Sequence, residues 1–243
     1  QNNQSRVILD IGNKQGESGE VKDASVRMID DTHFEGSVTT YPKYIKSDDP
    51  KGQITMYFWG ETSQKPIKTG SFNAEGISRN SISAKGKGAG LFLEYNTAEG
   101  AVVEMKVGLS YTSTENAKRN LEAEATGLSF DQAKARAQKV WEQELGKIYV
   151  EGTDKNNKVK FYTGLFHALL GRGIASDVNG DYPKHDGSIG RLPADKNGNF
   201  THNFINTDAI WGGYWNLTQM WALSYPEHYT NFVHTQLEIY KQR

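Results

Sequence analysis

AVVEMKVGLSYTSTENAKRNLEAEATGLSFDQAKARAQKVWEQELGKI, residues 101–148, changes its hydrophobic period partway along. Up to Tyr111 it reads as one more strand of an antiparallel series. Beyond Thr112 the period becomes helical: Ser129 and Gln132 make a capping box, and Phe130, Ala133, Ala137, Val140, Trp141, Leu145 and Ile148 recur at three and four residues on one face. The chain therefore divides into a strand-rich front and a helical back.

Working toward the N-terminus, VILDI (7–11), ASVRMI (24–29), FEGSVTTY (34–41), QITMYFW (53–59) and LFLEY (91–95) are short runs separated by Gly, Asn, Asp and Ser. Several alternate with period two, which predicts an antiparallel sandwich. KGKGAG at 85–90 lacks the strand-then-helix setting of a phosphate loop and reads as a hairpin turn. Toward the C-terminus a helix is predicted over 158–170, with Val159, Tyr162, Phe166 and Leu169 on one side and glycines 171 and 173 beyond it. A polar stretch from Ser176 to Asn203 is about twice an ordinary connection, a length that marks functional loops. Helices are expected over 208–223 and then from Pro226, the last with Tyr229, Phe232, Val233, Leu237 and Tyr240 as an apolar stripe. A few helices bury little until their apolar faces are covered, so the reading calls for a completing partner, either the remainder of the same polypeptide or a second chain.

Composition narrows the class. Lys plus Arg number 28 against 29 for Asp plus Glu, so neither nucleic acid nor an anionic membrane is an expected partner. With no cysteine, thiol chemistry and disulfide staples are excluded. No apolar run reaches the roughly 20 residues of a membrane span, and QNNQSRVILDIG lacks the regions of a signal peptide. Twelve Tyr, 5 Trp and 25 Gly give the profile of extracellular carbohydrate-handling proteins, shared by many β-sandwiches.

HExxH, GxSxG, P-loop and EF-hand motifs are all missing, and the six histidines have no ligating spacing of their own. His167, beside Phe166, reads as a core or rim residue. Asp177, Asp181, Asp186 and Asp195 offer calcium-type oxygens, but the same residues beside Asn and Gly are what turns require. HNFINTDAIWGGYWNLTQMWALSYPE, residues 202–227, differs in kind. On a helix Asp208, Trp211, Trp215 and Thr218 share one face, while Ile210, Tyr214, Leu217 and Trp221 share the next, which predicts a helix buried nearly all round. Core packing accounts for the second face. It does not account for Asp208 one turn before Trp211, because a buried carboxylate needs a partner. A sugar supplies one, with its C–H face on indole and its hydroxyls on the carboxylate.

Residues 108–182 resemble the glycoside hydrolases of family 92, in the stretch that joins their sandwich to their helical barrel. The resembling elements are Ser-x-Glu-Asn-Ala at 113–117, Asn-Leu-Glu-Ala-Glu at 120–124, the Trp141 helix, Phe161-Tyr162-Thr163 leading to His167, and Ser176-Asp177-Val178. The resemblance implies a β-sandwich followed by the first helices of an (α/α)6 barrel, with residues 1–113 as the sandwich domain, 114–157 as a linker helix region and 158–243 as the start of the barrel. It implies a bacterial, periplasmic or extracellular glycosidase, exo-acting on α-linked and especially α-mannosidic glycans. In that family one carboxylic acid protonates the leaving oxygen while one carboxylate activates water, inverting the anomeric centre. Calcium is implied as cofactor. Its ligands and the acid/base pair are expected outside this chain, so no catalytic or metal residue is assigned here. Asp208 and Trp211 become expected sugar contacts, joined by Trp215 and the loop residue Asp186. Where the family carries Trp-Asp-Thr-Tyr, alignment back from Pro226 gives Trp211-Gly212-Gly213-Tyr214, and matching Asp208 to the family Asp takes about four extra residues before Pro226. The rival readings are a different α-glycosidase or a phosphorylase on this scaffold, and a non-catalytic glycan-binding or surface protein.

Overall fold

The computed structural model describes residues 3–14, 19–42, 49, 52–171, 173–207 and 210–242. The chain falls into two compact units. The first comprises residues 1–126 and takes back Asp177–Asn179, and the second holds the rest.

The first unit is an antiparallel sandwich. One sheet has the order β1 (Gln4–Asp10), β8 (Gly90–Asn96), β5 (Lys68–Asn73), β6 (Gly76–Ser78); the other has β7 (Ser83–Lys85), β2 (Glu20–Met28), β3 (His33–Tyr41), β4 (Ile54–Thr62), β9 (Met105–Ser110). Alternation sets which face is buried: Ala24, Val26 and Met28 of β2 point inward with Phe34, Leu91, Leu93 and Tyr95, and this is the main core. The six strand runs read from the sequence are all present, whereas β5, β6 and β7 are not among them, two of these being three residues long. The run expected as a strand from Ala101 pairs only from Met105. KGKGAG is a turn but not a hairpin, since it carries the chain from β7 in one sheet to β8 in the other. Gly86 and Gly88 there hold the left-handed conformation, with φ of 82° and 70°.

The first helix, α1 (Thr114–Glu124), lies on the outer face of β4 and β9, where Ala117 and Leu121 bury Trp59. Gly108 on β9 permits that approach, because a Cβ there would stand 2.1 Å from the carbonyl oxygen of Ala117. Where β9 meets α1, Asp177 arrives from far along the chain and is buried. Its Oδ2 accepts the hydroxyl proton of Thr112 and an N–H of Asn116 at 3.2 Å, while Oδ1 accepts from Asn120 at 2.7 Å. Asn120 also donates to Leu109 O at 2.8 Å and accepts from Val178 N at 2.9 Å. A buried carboxylate is tolerated only when its lone pairs are filled, and here Oδ1 and Oδ2 both accept side-chain donors.

The second unit holds α2 (Phe130–Leu145), α3 (Lys155–Leu170), the hairpin β10 (Asp181–Pro183) with β11 (Ile189–Arg191), a 3-10 helix over Ile210–Trp215, α4 (Leu217–Ser224) and α5 (Pro226–Tyr240). Ser129 and Gln132 close the capping box as expected, and Asp154 caps α3 three residues before the predicted start. The core is Leu165, Trp221 and Tyr225, flanked by Leu145, Ile148, Tyr162, Leu169 and Phe232. Tyr225 adds a hydrogen bond from its hydroxyl to Glu144 O at 3.0 Å. The order of sandwich and then helices is the one expected of a sandwich leading into the first helices of an (α/α)6 barrel.

Replacing Asp177 by Ala leaves the Thr112, Asn116 and Asn120 donors without their shared acceptor. We expect a loss of about 3 kcal/mol from the stability of the first unit, read as a lower urea midpoint for the β-sheet circular-dichroism signal.

Candidate functional site

The stretch expected to form one buried helix over 208–223 breaks in two. Gly212 and Gly213 each weaken an α-helix by roughly 1 kcal/mol, and the run Ile210–Trp215 takes the tighter 3-10 form before α4 begins at Leu217. The 3-10 helix has about three residues per turn, so residues i and i+3 eclipse and the four-residue spacing of Trp211 and Trp215 no longer puts them on one face. Thr218 Oγ1 donates to Gly213 O at 3.3 Å and Gln219 Nε2 to Tyr214 O at 2.9 Å, which fastens the turn to α4.

The expectation of burial nearly all round is overturned. Trp211 is 79% exposed, Trp215 74% and Tyr214 60%, whereas Trp221 is wholly buried. Tyr214 had the core face in the sequence reading; here its ring stacks on Trp215 at 4.8 Å with 28° between planes. Among the described residues this turn therefore presents three large aromatic side chains to solvent, the kind of surface that stacks on a flat ligand face. Gly212 stands open, with nothing within 4 Å of where a Cβ would be. Asp208 lies outside the described residues.

Asp186 sits apart, in the turn of the β10–β11 hairpin, and is exposed. Its Oδ1 accepts from Ser188 N at 2.9 Å and Ser188 Oγ at 2.7 Å, and the Ser188 hydroxyl holds its carboxyl below the usual carboxylate range. Asp195 closes a second turn in the same way, accepting from Asn197 N at 2.8 Å and Asn199 N at 2.9 Å. Turn chemistry thus accounts for both carboxylates. Asp177 differs, being the buried acceptor of the first unit. His167 is exposed on α3. Among the described residues no group of three or more His, Asp or Glu is arranged to hold a metal. Nor is any helix among them long and apolar enough to cross a membrane.

What the sequence reading missed is the packing of 202–206. His202 is buried and stacks on His234 of α5, with ring centroids 4.7 Å apart and planes 19° apart. Its separation from His234 takes in the 3-10 helix, α4 and the first half of α5, so no local motif marks the pair.

A two-sheet sandwich followed by helices is the plan expected from the sequence. Residues 1–110 match the model of the glycosyl hydrolase family 92 N-terminal domain, and residues 116–243 match that of the family's catalytic domain. The chain belongs to glycoside hydrolase family 92. Solved structures agree on the fold. A family GH92 α-mannosidase from Bacteroides thetaiotaomicron is similar over 99% of this chain with a TM-score of 0.85 at 22% identity, and 31% of that protein is covered. A GH92 family glycosyl hydrolase superposes over 96% of this chain with a TM-score of 0.81 at 20% identity, covering 29% of its own length. A family GH92 inverting mannosidase from Bacteroides thetaiotaomicron VPI-5482 does so over 90%, with a TM-score of 0.73 at 17% identity and 27% of it covered. This chain thus spans less than a third of each of these structures. Among curated proteins none matches it significantly.

Two of the three tryptophans of this region differ sharply in burial. Trp211→Ala is expected to change folding stability by less than about 0.5 kcal/mol, whereas Trp221→Ala should cost about 3–5 kcal/mol. Thermal melts of the full-length protein check both.

Proposed function

We propose that the full-length protein is an exo-acting glycosidase of α-linked, mannose-type glycans, with a calcium-assisted inverting mechanism and a periplasmic or extracellular location. The observation that carries this reading is the match to both family 92 domains, in order, along the whole chain. In inversion one carboxylic acid protonates the leaving oxygen and one carboxylate activates a water from the opposite face, the two standing roughly 6.5–9.5 Å apart. Both belong to segments outside this chain. Within it, Trp211 and Trp215 are proposed to stack on the terminal sugars and Asp208 to accept sugar hydroxyls. Asp186 is proposed in a lesser role, since its Oδ1 already accepts two hydrogen bonds from Ser188.

One observation favours a second reading, glycan binding without cleavage. Gly212 occupies the position where the family motif has its sugar-holding Asp, and no side-chain carboxylate can come from it. A Cβ at Gly212 would meet nothing within 4 Å, so Gly212→Asp is a substitution the backbone there can start without a clash. In an enzyme of the proposed kind that variant should bind terminal mannose about tenfold more tightly, a gain of about 1.4 kcal/mol, as read by calorimetry with methyl α-mannoside.

Release of reducing sugar from a panel of α-mannosides by the full-length protein tests the reading directly. We expect mannose with inverted anomeric configuration in proton NMR, and loss of release in chelator that added calcium restores. Binding of the same glycans with no release from any α-glycoside sinks the enzyme and leaves the binding protein.

A further inference from the structure

Segment 202–206 is a strap laid along the polar face of α5. Asn203 N donates to Asn231 Oδ1 at 3.0 Å and Ile205 N to Thr235 Oγ1 at 3.0 Å, and Thr235 is fully buried by the contact. On its other edge Ala175 N donates to Phe204 O at 2.8 Å and Asn206 N to Gly173 O at 2.9 Å. Phe204 stacks on Tyr182 at 4.5 Å. At the head of the strap stands His202, whose ring lies flat on His234.

Thr201 Oγ1 stands 2.9 Å from His202 Nδ1 and 3.3 Å from Pro193 O. A neutral ring can therefore carry its proton on Nδ1, donating to the hydroxyl, which donates in turn to Pro193 O. Nε2 is buried, with no hydrogen-bond partner among the described residues, and in that form it needs none to receive a proton. A neutral ring fits this niche. A proton on Nε2 would create a buried cationic N–H with no acceptor, face to face with a second imidazole. The charged and titratable groups acting on the ring are His234 and Glu238 of α5 and Lys241 just past its end. Glu238 is the one favourable neighbour for a cation, and its carboxylate already pairs with Lys241 at 2.9 Å.

We propose that His202 is an acid-operated latch, seating strap 202–206 on α5 while neutral and releasing it when protonated. The strap leads into Thr207 and the 3-10 helix that carries Trp211, so release withdraws the fixed base of the aromatic turn. That consequence for sugar binding, though not the latch itself, rests on the reading of Trp211 as a sugar contact. Burial and the facing His234 hold the His202 pKa below its ordinary value near 6.5. The released strap therefore takes the proton more readily than the seated one. Seating is complete above about pH 6.5 and weakens about tenfold per pH unit below it, until the depressed value is reached. His228, also on α5 and also held low by burial, faces Trp221 edge-on at 4.4 Å, so its protonation acts on the helical core instead.

Hydrogen exchange read by mass spectrometry on the full-length protein tests the latch. Exchange is followed from pH 8 to 5, corrected for intrinsic rates, for peptides covering 202–207 and, as a control, 217–224 of α4. Protection of the strap peptide should be flat above pH 6.5 and fall about tenfold per unit below, with the α4 peptide unchanged and the fall abolished in His202→Phe. A flat wild-type profile, a fall shared equally by α4, or an unaltered fall in folded His202→Phe overturns the proposal. Should His202→Phe not fold, the two wild-type peptides decide alone. Methyl α-mannoside affinity over the same series separates the two readings: a strap that opens with affinity unchanged keeps the latch and removes Trp211 from the site, whereas affinity that falls over a closed strap overturns the latch.

Discussion

The carboxylate of Asp177 is what the first unit is assembled around at its polar end. A sandwich of two sheets closes its apolar interior with Val26, Phe34, Leu91, Leu93 and their neighbours, but the exit from β9 into α1 buries polar groups that no alternation of side chains can satisfy. Thr112, Asn116 and Asn120 all point their protons at one acceptor, and that acceptor comes from 57 to 65 residues away. One carboxylate with both oxygens occupied is less costly than the same donors buried without their common acceptor. With it in place α1 lies flat on Trp59 and Gly108, and the strand-to-helix transition is held.

The second unit solves a related problem with the opposite faces of a single helix. Tyr229 and Phe232 of α5 belong to the cluster of Leu165, Trp221 and Tyr225, while Asn231 and Thr235 hold the strap by its backbone. On its edge toward the helix such a strand-like segment has no ladder to complete, so the N–H groups facing that way must find side-chain acceptors. Thr235, wholly buried, serves in that way, and the strap is the fixed lead into the aromatic turn.

Most of the scaffold was legible because periodicity reports burial. The six longer strand runs and the capped α2 follow from alternation and from Ser129 with Gln132, and the motif resemblance named the family. β6 and β7 were not legible, since three residues carry no period. Nor was the break at Gly212-Gly213, where wheel geometry assumed 3.6 residues per turn and the local glycines chose nearer three; that one assumption put Tyr214 in the core and Trp211 beside Trp215. On α5 Val233, Leu237 and Tyr240 of the apolar stripe are exposed, and the residue that disappears from solvent is Thr235, which no hydrophobic pattern marks. Asp177 and the His202–His234 stack were invisible for a different reason: their partners are distant in sequence, and no spacing rule links them.

The return of Asp177–Asn179 to the first unit also bears on how the chain is made. Synthesis at about 5–20 residues per second puts several seconds between Thr112 and Asp177 leaving the ribosome. Throughout that interval the sheets can pair and the apolar core can close, yet Thr112, Asn116 and Asn120 lack the carboxylate that joins all three. Completion of the sandwich is thereby timed to the arrival of a loop that follows α3, so the sandwich is finished only after the first three helices have been made.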